Sequence, residues 1–151
     1  MTFIKKFLIS FLIIIFSVSN ASSYSSEEWE KNSINSSNYG SLYYLEIFKN
    51  GFGEINVGLF FLFEECEGYN PSPLDIPSIY INNKKIQMMG QCIDEKLRMD
   101  FPKTAAGIEY LINELKNKNE ITYKLPDKSI SFKAKDFLKN YKLFDDINGG
   151  L

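Results

Sequence analysis

The chain of 151 residues contains no histidine. Histidine is the general base of Ser-His-Asp and Cys-His nucleophile systems, and it is a common zinc ligand. Its absence excludes both classes of catalysis, together with histidine-based zinc sites. The sequence also lacks a glycine-rich phosphate-binding loop. We therefore predict no catalytic residue, no cofactor and no metal site, and we expect the protein not to be an enzyme.

Arginine is nearly absent as well, since Arg98 is the only one among 17 basic residues. A/T-rich codons produce this bias toward lysine, so the bias carries no information about a ligand. The 17 basic residues stand against 19 acidic ones, and the net charge is −2. This mildly acidic balance weighs against a nucleic-acid partner and against a polybasic membrane-surface role. We expect Arg98 to lie on the surface or to pair across strands.

Only one long hydrophobic run is present, and it lies near the first residue. Two lysines precede the run Phe7–Val18, and small residues follow it up to Ala21. This order predicts a secretory signal peptide at residues 1–21. A membrane-spanning helix needs about 20 apolar residues, and this run is shorter. We therefore expect an exported protein, periplasmic or secreted, with no stable membrane insertion after cleavage.

Cysteine is scarce, because Cys66 and Cys92 are the only two. An even number of cysteines in an exported protein is typical of a structural disulfide. The CxxC spacing of thiol-disulfide oxidoreductases is absent, and there is no histidine to lower a thiol pKa. We predict a Cys66–Cys92 disulfide, which contributes roughly 3–4 kcal/mol in the chain-entropy model.

Alternating apolar residues and tight-turn signals predict an α+β fold built on an antiparallel β-sheet of hairpins. The strongest turn signal is Asn50-Gly51. An amphipathic helix at about 104–117 and a short C-terminal helix beginning at Asp136 are expected to pack on the sheet. The apolar residues with helical spacing in the longer helix are Ile108, Leu111, Ile112 and Leu115.

The remaining boundaries follow from composition. Residues 22–40 are polar and rich in serine and asparagine, so we expect a loose N-terminal arm. Residues 41–144 are expected to form a single α+β domain. Residues 145–151 are expected to form a flexible tail.

Acidic residues flank both cysteines, and a disulfide would bring the two groups together. Such a cluster would be able to hold a cation or to supply an acid/base pair. The alternative is a solvated acidic rim beside the disulfide. The acids are Glu64, Glu65 and Glu67 around Cys66, and Asp94 and Glu95 after Cys92.

Aromatic residues are dense in the first predicted hairpin. Three of them, Tyr44, Phe48 and Phe60, fall on one face of the hairpin. The apolar stripe Ile55-Val57-Leu59 lies on the opposite face. Left uncovered, the three aromatic residues would form an apolar patch of the kind that binds a partner. If the helix or the N-terminal arm covers them, they belong to the core instead.

The stretch Cys92–Tyr141 carries a family resemblance. A cysteine is followed by a helix ending in Leu115-Lys116, then by a hairpin and the segment Ser131–Phe137. This order resembles the C-terminal half of the invasion-associated locus B proteins, a family of small exported bacterial proteins. The family's further cysteines are missing, and Asp136 stands where a glycine would be expected. The resemblance implies an envelope protein with an interaction role, and it assigns no functional residue.

The sequence thus favours a non-enzymatic exported protein that binds another envelope or secreted protein, as an envelope accessory factor, an inhibitor or an immunity-type partner. One alternative is a carboxylate-based enzyme or cation-binding domain that uses the acids near the disulfide. Another is a structural envelope component that associates through a free edge strand.

The predicted signal peptide and disulfide are tested together by the intact mass of protein from the exported fraction, alkylated without reductant. We expect the mass of Ser22–Leu151 with neither cysteine modified, because cleavage follows Ala21 and both thiols are oxidised. Reduction before alkylation is the control and should add two adducts. A full-length mass with alkylated cysteines would contradict both export and the disulfide.

Overall fold

The protein is described here by a computed structural model covering residues 28–68 and 70–149. The predicted signal peptide, residues 1–21, lies outside these ranges. Neither helix of the described part is long and apolar enough to cross a membrane.

The described residues form one antiparallel sheet and two α-helices, which confirms the expected α+β class. The strands are β1 (Ser33–Ser36), β2 (Gly40–Lys49), β3 (Ile55–Leu62), β4 (Leu74–Ile81), β5 (Lys84–Cys92), β6 (Leu97–Pro102), β7 (Glu120–Lys124) and β8 (Ser129–Lys133). The helices are α1 (Ala105–Asn117) and α2 (Phe137–Asn148). The strand order across the sheet is β1-β2-β3-β6-β5-β4-β7-β8.

The sheet curls so far that its first and last strands approach each other. Just after β1, the backbone N–H of Ser37 donates to the Ser131 carbonyl of β8 at 2.8 Å. The side chain of Asn38 donates to the Ser129 carbonyl at 2.8 Å and accepts from the Ser131 N–H at 3.1 Å. These bonds satisfy backbone groups that an open sheet edge would leave unpaired.

The curled sheet encloses the hydrophobic core on its inner face. Side chains alternate between the two faces of a strand, so every second residue points inward. Helix α1 contributes three buried side chains to the same core. Large core residues are Leu45, Ile47, Leu59, Ile81, Met88, Leu111, Leu115, Tyr123, Phe132 and Phe137.

Helix α1 begins after Thr104, whose side chain caps its first turn. The Thr104 hydroxyl accepts a hydrogen bond from the Gly107 N–H at 3.1 Å, which satisfies one of the free N–H groups of the first turn. The Tyr110 hydroxyl donates to the Ile81 carbonyl at 3.1 Å. The cap and this bond fix the helix against the end of β4.

The expectation of a loose arm at residues 22–40 is wrong for its described part. Strand β1 pairs with β2, Ile34 is buried in the core, and the buried Trp29 ring meets Phe137 edge-on at 5.0 Å. The Asn140 side chain donates to the Trp29 carbonyl at 3.2 Å. A four-residue strand between polar residues has too short an alternation to be visible in sequence, so tertiary packing decides this segment.

The expected tail at residues 145–151 also begins too early, because α2 continues to Asn148. Its last turn is closed by the Gly149 N–H, which donates to the Asp145 carbonyl at 2.6 Å. Aspartate, asparagine and glycine suggested a helix end here. The helical bonds nevertheless continue until they reach the glycine, a common residue at helix ends.

Replacement of Trp29 with alanine tests whether the N-terminal segment belongs to the core. We expect a loss of about 3–5 kcal/mol in the free energy of unfolding, because the change leaves a large cavity beside Phe137. Urea denaturation followed by far-ultraviolet circular dichroism measures it. Trp29→Phe should cost far less, since the indole N–H has no hydrogen-bond partner among the described residues.

Phe52 is the matched control, because its side chain is 92% exposed in the β2–β3 turn. Phe52→Ala should leave the unfolding midpoint unchanged. An equally small effect for Trp29→Ala would mean that the segment is dispensable for folding.

Candidate functional site

The predicted disulfide between Cys66 and Cys92 is present, with the two Cα atoms 5.7 Å apart. Cys66 is buried and lies in the short 3₁₀ turn Glu64–Cys66 that follows β3. Cys92 is the last residue of β5. The bond therefore fastens the loop after β3 to the end of β5, two strands away in the sheet.

The acids around the disulfide are exposed to solvent. The Asp94 carboxylate accepts backbone hydrogen bonds from Lys96 and Leu97, each at 2.7 Å, and these bonds lower the pKa of Asp94. Asp94 thus closes the turn between β5 and β6. Within the described ranges, no three acidic or cysteine side chains are grouped so that they could hold a metal ion.

The lone arginine pairs with a buried acid on the inner face. Arg98 Nε lies 2.6 Å from Asp100 Oδ1, and the guanidinium carbon lies 4.6 Å from the centre of the Phe63 ring. Burial raises the pKa of Asp100, and the positive charge of Arg98 partly offsets this effect. Gly90 leaves the space for the pair, because a Cβ there would lie 2.8 Å from Arg98 Nη2.

The phenol of Tyr123 is buried within the same core and has no hydrogen-bond partner among the described residues. Burial raises its pKa strongly, and the negative charge of Asp100 adds to the effect. The hydroxyl therefore stays protonated. We assign Arg98, Asp100 and Tyr123 a structural role, because a buried ion pair and a buried phenol give a substrate no access.

The three residues of the predicted aromatic patch share the outer face of the sheet. Tyr44 lies opposite Phe60 in the β2–β3 register, and their rings stack with centroids 5.0 Å apart. Phe48 meets Phe101 edge-on at 5.8 Å. Phe60 is only 7% exposed, while Tyr44 and Phe48 are half-buried. These aromatic rings therefore form the base of the outer surface, which we call the aromatic floor. Phe60 belongs to this floor but is not exposed.

A second glycine explains how the floor packs. A Cβ at Gly58 would lie 2.7 Å from Met99 Cγ and 3.1 Å from the Phe60 ring. The missing side chain lets Met99 and Phe60 lie flat over the backbone of β3. Alanine at this position would force both side chains to move.

The exposed apolar side chains of this face are aliphatic, and the aromatic pattern did not indicate them. Leu42 is 60% exposed, Leu62 is 71% exposed and Ile93 is 37% exposed. Leu62 lies opposite Leu97 in β6, and the Ile93 N–H donates to the Leu97 carbonyl at 2.8 Å. Leu42 is one alternation beyond Tyr44 on β2.

These residues form a row across β2, β3 and β6, which ends at Ile93, the residue that follows β5. We call it, together with the aromatic floor beside it, the apolar strip. Both helices contribute core side chains on the inner face, so neither of them covers it in the described part of the chain. The strip consists of Leu42, Tyr44, Phe60, Leu62, Ile93, Leu97 and Met99.

The acids beside the disulfide border one end of the apolar strip. Burial raises the pKa of the Tyr44 phenol, and the negative charges of Glu46 and Asp94 add to this effect. A surface hollow of about 480 Å³ separates the end of β3 from the β5–β6 turn. Its lining residues are Leu62, Phe63, Glu64, Glu67, Glu95 and Lys96.

No family model matches the chain, and neither do any curated protein or solved structure. The resemblance of Cys92–Tyr141 to the invasion-associated locus B proteins therefore stays a prediction.

The buried pair is tested by replacing Arg98 with methionine. Removing one partner leaves a buried unpaired carboxylate, which costs about 3–5 kcal/mol of unfolding free energy at neutral pH. Without Arg98 the folded-state pKa of Asp100 rises further above its ordinary value of 3.8, so the folded protein binds this proton more readily than the unfolded chain. The deficit relative to wild type should therefore shrink as the pH falls through the raised pKa.

Urea denaturation at a series of pH values measures this dependence. The control is Arg98→Met combined with Asp100→Leu, which removes the carboxyl group, so the deficit relative to wild type should no longer shrink as the pH falls. A deficit that stays constant with pH would assign the cost to lost packing on Phe63 instead.

Proposed function

We propose that this chain is a small exported, non-enzymatic protein that binds another envelope or secreted protein through the apolar strip. The observation that carries the proposal is the row of exposed aliphatic residues on ordered strands, with Leu42 and Leu62 the most exposed. An envelope accessory factor, an inhibitor and an immunity-type protein all act through such a surface.

The composition of the strip supports a protein partner. Contiguous exposed apolar surface is typical of interfaces, and aromatic residues and methionine are enriched there. Here the stacked Tyr44 and Phe60 rings and Met99 lie under and beside the exposed leucines. A rigid aromatic floor costs little conformational entropy on binding, which favours a preformed docking surface.

The charge around the strip indicates the chemistry of the partner. Glu64, Glu67, Asp94 and Glu95 make its border acidic, and Lys96 is the only basic residue in the adjoining hollow. A partner with an apolar centre and a basic border would complement this surface. Such charges chiefly raise the association rate and the specificity.

The two alternatives have less support. A carboxylate-based enzyme needs convergent acids in a cleft, whereas the acids near the disulfide are exposed and Asp94 is engaged by backbone N–H groups. A structural component that polymerises through a free edge strand needs an open sheet edge. The hydrogen bonds of Ser37 and Asn38 to β8 bring the two edges together instead.

Site-specific photo-crosslinking in the producing cells tests the proposal. A photoreactive residue at Leu62 should give one discrete adduct in the exported fraction, because that side chain lies at the centre of the exposed row. The matched control position is Phe52, which is 92% exposed in the turn at the other end of β2 and β3. It should give no such adduct.

A second substitution shows whether the adduct depends on the strip. Leu42→Asp should abolish crosslinking from Leu62 while leaving the unfolding midpoint nearly unchanged, because Leu42 is already exposed. An adduct that survives Leu42→Asp, an identical adduct from Phe52, or no adduct at all would contradict the proposal.

A further inference from the structure

A second surface with the opposite charge lies between the end of α1, the ends of β7 and β8, and the beginning of α2. It is an open groove of about 1000 Å³. We call it the lysine groove. Its basic lining residues are Lys116, Lys118, Lys133, Lys135, Lys139 and Lys142, and Asp136 is the one acidic residue in its lining.

Three of these lysines are already engaged. Lys133 pairs with Glu120 at 2.7 Å, and Lys135 pairs with Glu28. The Lys116 ammonium lies 4.0 Å from the centre of the Tyr141 ring. These contacts orient the three side chains along the walls of the groove.

The other three, Lys118, Lys139 and Lys142, are exposed and form no ion pair with an acid of the described residues. They come from the end of α1 and from α2, so the fold gathers them from distant parts of the sequence. The whole chain carries a net charge of −2, so this concentration of positive charge is local. The six lysines of the groove outnumber the acids that pair with them or line the groove, and such an excess of positive charge favours an anionic partner.

The floor of the groove is apolar. Leu115, Ala134 and Phe137 lie beneath it and are buried, so its exposed apolar surface comes chiefly from Leu138, which is 44% exposed. A small anion gains no free energy from contact with an apolar floor. A peptide that alternates acidic and apolar side chains can contact both the lysines and the floor.

We propose that the lysine groove binds an acidic peptide segment with apolar side chains, supplied by a protein partner. Nucleic acid fits less well, because the groove contains no arginine and its one aromatic ring, Phe137, is buried and cannot stack on a base. The inference does not depend on the apolar strip, which has the opposite charge at its border. The chain's own acidic border makes a second copy the main competing occupant.

Fluorescence anisotropy tests the groove with a labelled peptide of alternating glutamate pairs and leucines, titrated with the full exported chain. The groove variant is Lys118→Gln, Lys139→Gln and Lys142→Gln together. We expect it to weaken binding about tenfold, because each exposed ion pair contributes modestly. Wild-type affinity should fall with added salt.

The matched control variant is Lys84→Gln, Lys85→Gln and Lys124→Gln, which removes the same charge from exposed positions outside the groove. It should bind the peptide as wild type does. All six positions are exposed, and equal unfolding midpoints will show that both variants are folded.

Four outcomes overturn the proposal. The wild-type chain does not bind the peptide, or both variants lose affinity equally. A peptide with serine in place of leucine, or inorganic tripolyphosphate, binds as tightly, which would indicate a simple anion site. Sedimentation shows self-association that only the groove variant loses, which would assign the groove to a second copy. Every outcome except self-association leaves the crosslinking from Leu62 unaffected, so the two proposals fail separately.

Discussion

The pairing of β3 with β6 is the constraint on which the rest of the structure depends. These strands are the third and fourth of eight in the sheet order, and their register places Leu59 opposite Asp100 and Phe60 opposite Met99. A slip of one residue would turn the Arg98–Asp100 pair to solvent and Met99 into the core. Gly58 and Gly90 admit the side chains that this register brings over them, and the disulfide fastens the loop at the same end of the sheet.

The sequence predicted what local patterns determine and missed what distant pairings determine. Alternation and turn residues sufficed for the antiparallel α+β class, and two cysteines in a predicted exported chain sufficed for the disulfide. The segment that leads into β1 is held by the Trp29–Phe137 contact and by the Asn140 hydrogen bond, across more than a hundred residues of sequence. No local pattern contains that information.

The candidate surface was predicted only in part for the same reason. Aromatic density within one hairpin pointed to Tyr44, Phe48 and Phe60, which do share a face. The exposed members of that face include Leu62 and Ile93, which are aligned through Leu97 of a third strand. The burial of Phe60 follows from the neighbouring strand too, because Met99 lies beside it over Gly58.

The net charge conceals two surfaces of opposite charge, because it averages over both of them. The acids beside the disulfide and the lysines between the helices nearly cancel in the total of −2. The apolar strip is formed by β2, β3, β6 and the residue after β5, whereas the lysine groove is formed by the end of α1, the end of β8 and the beginning of α2. The two surfaces share no lining residue, and substitutions at separate sites usually act additively. A change of exposed side chains on one surface should therefore leave the affinity of the other unchanged, which is the condition for one small protein to hold two partners at once.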